Sequence, residues 1–343
     1  MRRRKIYRSG TRLFLCCVLL GASPARAAHL NPEAVRAAAS YSAAHKGTSF
    51  LVRQNGKTLL EEYSNGGGED VARRIYSGTK AFWTLAALAA ADDGLLDLDE
   101  RVSETVLSWR QNSRKSQVTI RQLLDFSSGV DPGFSLQQNH FGNRDKAALH
   151  LPMVAEPGRA FIYGPASLQV FHQVLKEKLH GESPNEYLER RVLRRMHLRP
   201  QRYLEDAAGN PLLAAGFTLT ARQWAEIGGV VLARGKPIVR PDTLAQTWRG
   251  SSANRAFSLG WWNNHAAPGG REFDFEAMLK PKWPRQNWER ACLCRDAPND
   301  LVACIGSDYQ RLYVIPSLDL IVVRHGSGAP FSDARFLRLL LAR

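Results

Sequence analysis

The apolar and polar positions alternate in two short stretches near the start of the chain, Ser49-Phe-Leu-Val-Arg-Gln54 and Lys57-Thr-Leu-Leu-Glu-Glu-Tyr63. Asn55-Gly56 lies between them, a pair that tolerates the positive φ angles of a tight hairpin turn, so the pattern predicts two antiparallel strands. Upstream, Asn31-Pro32 supplies a cap and a first-turn proline for a helix ending at Gly47. Downstream, Ala81-Phe-Trp-Thr-Leu-Ala-Ala-Leu-Ala-Ala-Ala91 is apolar on every face and closes at Asp92-Asp93-Gly94, which predicts a buried helix with a glycine stop. The middle of the chain reads as mostly helical. Thr119-x-x-Gln122, Ser183-Pro184-x-Glu186 and Thr220-x-x-Gln223 all have the form of a capping box, and Gly181 and Gly235 supply stops. Strand patterns return at Arg311–Ile315 and Leu320–Arg324 around the turn Pro316-Ser-Leu-Asp319, followed by a helix near Asp333 to Leu341.

Strands at both ends of the chain have to share a sheet. The expected fold is therefore α/β of the α+β kind: an antiparallel sheet built from both termini, flanked by the terminal helices, with a mostly helical region inserted between its strands. The expected organisation is a single domain over residues 28–343, with terminal strands in about 48–76 and 256–343 and the insert in about 77–255. The cleft between sheet and insert is the natural pocket.

The first 27 residues change the reading of the charge. Met1 to Arg12 is basic, Leu13-Phe-Leu-Cys-Cys-Val-Leu-Leu20 is apolar, and Ala25-Arg26-Ala27 offers small residues for cleavage, which together predict a secretory signal peptide and a periplasmic or secreted protein. The apolar run is too short to span a bilayer, so no stable membrane insertion is expected after cleavage. The formal charge of +15 includes seven basic and no acidic residues of this leader; without them 40 basic residues face 32 acidic ones, a net of +8. That excess is modest and scattered along the chain, which argues against a nucleic-acid partner. Three cysteines remain, Cys292, Cys294 and Cys304. In an oxidising compartment a disulfide from Cys304 to one of the other two is favoured over a metal site, for which no fourth ligand lies nearby.

Candidate chemistry sits in Tyr76-Ser77-Gly78-Thr79-Lys80, at the start of the apolar helix. Positions i and i+3 share a helix face, so the Ser77 hydroxyl and the Lys80 amine can meet. A lysine among apolar neighbours is pushed toward its neutral form and can then take the serine proton, making Ser77 a nucleophile. No metal or organic cofactor is needed.

Several further stretches carry a resemblance: Asp93-Gly-Leu-Leu-Asp-Leu-Asp99, Val118-Thr-Ile-Arg-Gln-Leu-Leu-Asp-Phe-Ser-Ser-Gly129, Glu156-Pro-Gly-Arg-Ala-Phe-Ile-Tyr163, Ala215-Gly-Phe-Thr-Leu-Thr-Ala-Arg222 and Tyr313-Val-Ile-Pro-Ser-Leu-Asp-Leu320. With Ser77-x-x-Lys80 they run in the order of the serine beta-lactamase and penicillin-binding protein superfamily, and the chain resembles its class C beta-lactamase-like serine hydrolases and esterases. The resemblance implies a third catalytic group at Tyr163, a phenol of depressed pKa acting as general base. Pro165 stands where the family carries a side chain that bonds a substrate amide. The family's third motif, a lysine or histidine before the last strands, corresponds to Ala303-Cys-Ile-Gly-Ser-Asp-Tyr-Gln310, with Gly306 and Ser307 nearest to the oxyanion wall and no cation in place. Arg324-His325-Gly326 is the other candidate for it and reads as the start of a loop. These departures point to small esters or amides as substrates. A class C-type beta-lactamase or D-alanyl peptidase, and a catalytically weak penicillin- or peptidoglycan-binding protein, are the alternatives.

Overall fold

The computed structural model describes residues 29–342; the leader expected over residues 1–27 lies outside them. The first helix, α1 (Pro32–Ala44), begins at the Asn31 cap, whose side chain accepts from the Glu33 N–H. The hairpin follows as read, β1 (Ser49–Gln54) and β2 (Lys57–Tyr63), with both Asn55 and Gly56 at positive φ. A 3₁₀ turn, Tyr76–Thr79, then leads into α2 (Lys80–Asp92). Every residue from Lys80 to Ala90 is buried, as a helix apolar on all faces requires.

The helical region contains α3 (Ala166–Lys178) and α4 (Ala221–Leu232) among shorter turns. All three capping boxes form with both reciprocal hydrogen bonds, at Thr119/Gln122, Ser183/Glu186 and Thr220/Gln223. The chain then returns to the sheet through β3 (Phe257–Ser258), β4 (Trp261–Asn263), β5 (Val302–Gly306), β6 (Gln310–Ile315) and β7 (Leu320–His325), and ends in α5 (Asp333–Leu340). These seven strands form one antiparallel sheet in the order β2-β1-β7-β6-β5-β4-β3. The N-terminal hairpin thus pairs directly with the last strand, Ser49 opposite His325 and Gln54 opposite Leu320, as the α+β reading of the sequence expects.

The two faces of this sheet decide what surrounds the candidate site. On one face α5 supplies Phe336, whose ring lies 5.7 Å from those of Phe50 and Tyr313. The same face buries Arg311, bonded to Asp333 at 2.6 Å and Glu276 at 2.8 Å, and Arg324, which donates to the His45 and Tyr309 carbonyls at 2.7 Å. The other face carries α4, and the buried α2 packs behind the turn that holds Ser77. The sheet's far end is tied to the helical region by Asp125, whose carboxylate accepts from the Leu259 N–H and the Ser258 hydroxyl.

This layout overturns the expected disulfide. Cys292, Cys294 and Cys304 are all free and buried. Cys304 lies opposite Leu312 in the β5/β6 register and points to the α2/α4 face, where its thiol donates to the Gly78 carbonyl at 3.2 Å. The Cys294 thiol instead donates to the Ala334 carbonyl of α5 on the other face. The sheet separates the two sulfurs, which spacing along the sequence does not reveal. Near Cys294, the carboxylates of Glu272 and Asp296 are both paired with Arg338. Arg324 ends the strand pattern as read, but the segment Arg324-His325 was also expected to start a loop. The two residues do not open a loop but finish β7, fully buried, Arg324 among backbone carbonyls and His325 stacked on Trp224 with ring centroids 5.6 Å apart.

Candidate active site

Ser77 does not sit on the α-helix itself but on the 3₁₀ turn that precedes it. A 3₁₀ turn eclipses residues i and i+3 more closely than an α-helix does, and this brings Ser77 and Lys80 together. Lys80 Nζ lies 2.9 Å from Ser77 Oγ and donates to the Ala214 carbonyl at 2.8 Å. Tyr76, immediately before the serine, is held at φ 45°, a left-handed conformation that costs a side-chain-bearing residue energy and turns the chain sharply at this point. Gly78 has to be glycine: a Cβ there would lie 2.8 Å from a ring carbon of Trp224 on α4. A neighbouring strand segment fixes the turn from the side. The Ile75 N–H donates to the Phe217 carbonyl at 3.0 Å, and the Phe217 N–H donates to Thr79 Oγ1 at 3.2 Å.

Burial governs the electrostatics. Lys80 is 3% exposed, and this desolvation pushes its amine down to about 7, outweighing the smaller opposing effect of Cys304. Near neutrality a large share of the amine is therefore uncharged, with a lone pair free to accept from the Ser77 hydroxyl. Tyr163 comes from the segment before α3; its phenol is in hydrogen-bonding contact with Ser77, and its ring centroid lies 4.7 Å from Lys80 Nζ. Burial pushes this phenol up, not down. The depressed pKa that the resemblance implied for Tyr163 is not found: desolvation outweighs the hydrogen bond to Ser77, which acts in the opposite direction. Tyr163 is thus held as a phenol beside a deprotonatable amine.

Ser77, Lys80, Tyr163 and Ser307 line one cavity of about 370 Å³ between the sheet and the helical region. Gly306, also a candidate, stands behind this wall. A Cβ at Gly306 would lie 2.0 Å from the Ile75 carbonyl oxygen, so the end of β5 approaches the Ser77 turn as only a glycine permits. Past it, Asp308 and Tyr309 turn the chain at φ 57° and 59°, and the Asp308 carboxylate bonds the Tyr76 phenol, linking this turn to the one that bears the serine. Gln310 does not face the cavity; its amide engages both backbone groups of Gly326.

A family model described as Beta-lactamase matches residues 34–323. The chain belongs to the beta-lactamase family. Among curated relatives of this family protein, Protein flp of Staphylococcus aureus (strain COL) is 26% identical over 170 residues, covering 44% of the chain and 34% of flp. Acyltransferase calJ of Penicillium decumbens is 30% identical over 139 residues, 33% of each. The matched part thus spans about a third of the length of these relatives. Solved structures agree over much more of the chain. A class C beta-lactamase from Rhodobacter sphaeroides matches with a TM-score of 0.65 at 17% identity, covering 89% of this chain and 97% of its own. EstCE1, a hydrolase with promiscuous acyltransferase activity, matches with a TM-score of 0.63 at 18% identity over 90% of this chain and 97% of its own. At such identities these likenesses establish the beta-lactamase fold.

The cavity also contains groups that the sequence did not mark. Ala214 contributes only a carbonyl, which any residue could supply, so no side-chain signal could have revealed it. Arg74, exposed and lying three residues before the serine, brings a cation to the cavity, although the third motif has none. Phe134, 61% exposed, forms part of the rim. Arg74 lies in a short strand paired with Thr218 and Phe134 in a 3₁₀ turn, and neither belongs to a motif.

Proposed function

We propose that this beta-lactamase-family protein is an exported serine hydrolase that forms an acyl-enzyme on Ser77 and acts on small esters or amides. The single observation that carries the reading is the buried Lys80 amine, pushed down to about 7 and 2.9 Å from Ser77 Oγ. Lys80 takes the Ser77 proton as Oγ bonds to the substrate carbonyl carbon. The resulting oxyanion is stabilised by backbone N–H groups at Ser77 and at Ser307, beside Gly306. As the tetrahedral species collapses and the carbon–leaving-group bond breaks, the proton passes from the Lys80 ammonium through the Tyr163 phenol to the leaving group. Tyr163 gains and loses one proton in this step and needs no phenolate. Water then repeats the sequence at the acyl carbonyl and frees Ser77.

The absence of a lysine or histidine in the third motif, and Pro165 in place of an amide-bonding side chain, weigh against penicillins and D-alanyl peptides as preferred substrates. A catalytically weak penicillin- or peptidoglycan-binding role is disfavoured because serine, lysine and tyrosine are retained around one cavity. Turnover of 4-nitrophenyl butyrate and of a chromogenic cephalosporin, each by the mature protein and by Ser77→Ala, separates these readings. Ester hydrolysis that vanishes in Ser77→Ala and exceeds cephalosporin hydrolysis supports the proposal; the reverse preference supports a beta-lactamase. Labelling by a fluorescent penicillin without any turnover supports the binding role.

A further inference from the structure

A second and larger cavity, about 830 Å³, lies beside the catalytic cleft. The two share Gln286 in their walls, and one stretch of chain runs from the larger to the smaller, with Arg159 and Phe161 in the first and Tyr163 in the second. The rings of Phe161 and Tyr163 are 5.9 Å apart. The dividing Gln286 is fixed: its amide donates to the Pro281 carbonyl at 3.0 Å and accepts from the Trp288 indole at 3.2 Å. The larger cavity is therefore a formed neighbour of the nucleophile's cleft.

Its lining has a definite chemistry. Arg159, Arg255 and Arg290 all border it, and among the described residues none of the three is paired with a carboxylate; Arg290 meets only the Gly269 carbonyl. By contrast Arg121, Arg191, Arg222 and Arg311 are each held by an acidic side chain. Glu289 is the acidic group on the lining, so positive charge predominates. Trp283, Trp288 and Phe161 supply aromatic surface, with the Phe161 and Trp288 rings edge to face at 5.1 Å. Asn254, 2% exposed, also lines the cavity; its Oδ1 accepts from the Ala256 N–H, while its Nδ2 donor has no partner. A buried amide donor left unsatisfied is a cost that a ligand acceptor can relieve. Unpaired guanidiniums, flat apolar walls and an orphaned donor together suit a planar aromatic body bearing a carboxylate, sulfonate or phosphate.

We propose that this cavity binds an aromatic anion, and that substrates of the Ser77 centre carry such a group beyond the bond that is cleaved. The second half rests on Ser77 as the nucleophile; the first does not. Recognition of the substrate's charge is thereby moved from the third motif, which has no cation, to arginines in the neighbouring cavity.

Two measurements test the halves separately. Calorimetric titration of the Ser77→Ala protein with 2-naphthalenesulfonate reports the cavity alone. Saturable single-site binding that weakens at least about tenfold when Arg159→Ala and Arg255→Ala are added is expected, since each lost guanidinium removes a charge-assisted contact. Both side chains are exposed, so the substitutions leave the core untouched. No saturable binding, or binding indifferent to the two arginines, overturns the site. With the wild-type protein, the acetyl ester of 6-hydroxynaphthalene-2-sulfonate should show a higher kcat/KM than 2-naphthyl acetate, and the ratio should fall to about one in the double arginine variant. Equal kcat/KM for the two esters in the wild type overturns the link to the substrate. If Ser77→Ala hydrolyses both esters while the sulfonate still binds, the nucleophile reading fails and the cavity assignment survives.

Discussion

Replacing Lys80 by methionine should make the protein more stable and inactive at once. The amine falls from 10.5 to about 7 on folding because burial disfavours the ammonium. At about 1.4 kcal/mol per pH unit, that difference is a penalty of about 5 kcal/mol that is fully present below pH 7 and fades as the pH approaches 10.5. Between about pH 7 and 10.5 the unfolded chain binds a proton that the folded chain does not, so wild-type stability should rise with pH across this window. Methionine fills similar volume without charge, but it leaves the Ala214 carbonyl without its donor, which costs about 1–3 kcal/mol. The net expectation for Lys80→Met is a gain of about 2–4 kcal/mol at pH 6 that shrinks to about zero by pH 9.5. Urea unfolding of both proteins at the two pH values measures it. A variant less stable than the wild type by the same amount at both pH values would refute the premise, because the lysine would then be charged and compensated in the folded protein.

Other substitutions and conditions probe the remaining parts of the site and its frame. For ester hydrolysis, kcat/KM should rise about tenfold per pH unit below an apparent pKa near 7 and then level off, as deprotonation of Lys80 requires; a profile flat from pH 5 to 8 would remove the lysine as base. Tyr163→Phe should lower kcat about 10²- to 10⁴-fold while KM for a small ester moves little, read from steady-state kinetics, because the relay is lost and the ring remains. Gly306→Ala should depress acylation about 10²-fold in stopped-flow ester assays, since its Cβ would lie 2.0 Å from the Ile75 carbonyl oxygen and force the two turns apart. Asp333→Leu should cost about 3–5 kcal/mol in chemical denaturation, because it strips the fully buried Arg311 of its carboxylate on α5.

The parts legible in the sequence were those with local causes. The Asn55-Gly56 hairpin, the three capping boxes and the buried α2 each follow from residues within one or two turns of one another, and the structure has them where the pattern puts them. The Ser77 and Lys80 pair is local in the same sense. What the sequence left hidden depends on the tertiary arrangement. Cys304 and Cys294 are ten residues apart yet lie on opposite faces of the sheet, and nothing in their spacing says which face each side chain takes. His325 was expected to start a loop because it falls just after the last strand pattern; here the strand runs through it and the ring of Trp224 stacks on its own. The Tyr163 phenol was expected to be acidic by resemblance, but desolvation by its surroundings outweighs the hydrogen bond to Ser77. Arg74 and the arginine-lined cavity converge from separate loops and strands, beyond the reach of any motif.

The central claim is that Ser77 is the nucleophile, and covalent capture tests it most directly. The purified protein would be treated with a fluorophosphonate at pH 8, where Lys80 is largely neutral, digested, and the modified peptide located by mass spectrometry. A single adduct on Ser77 is expected, absent in Ser77→Ala and slowed about tenfold at pH 6. An adduct on another residue, or labelling undiminished in Ser77→Ala, would contradict it.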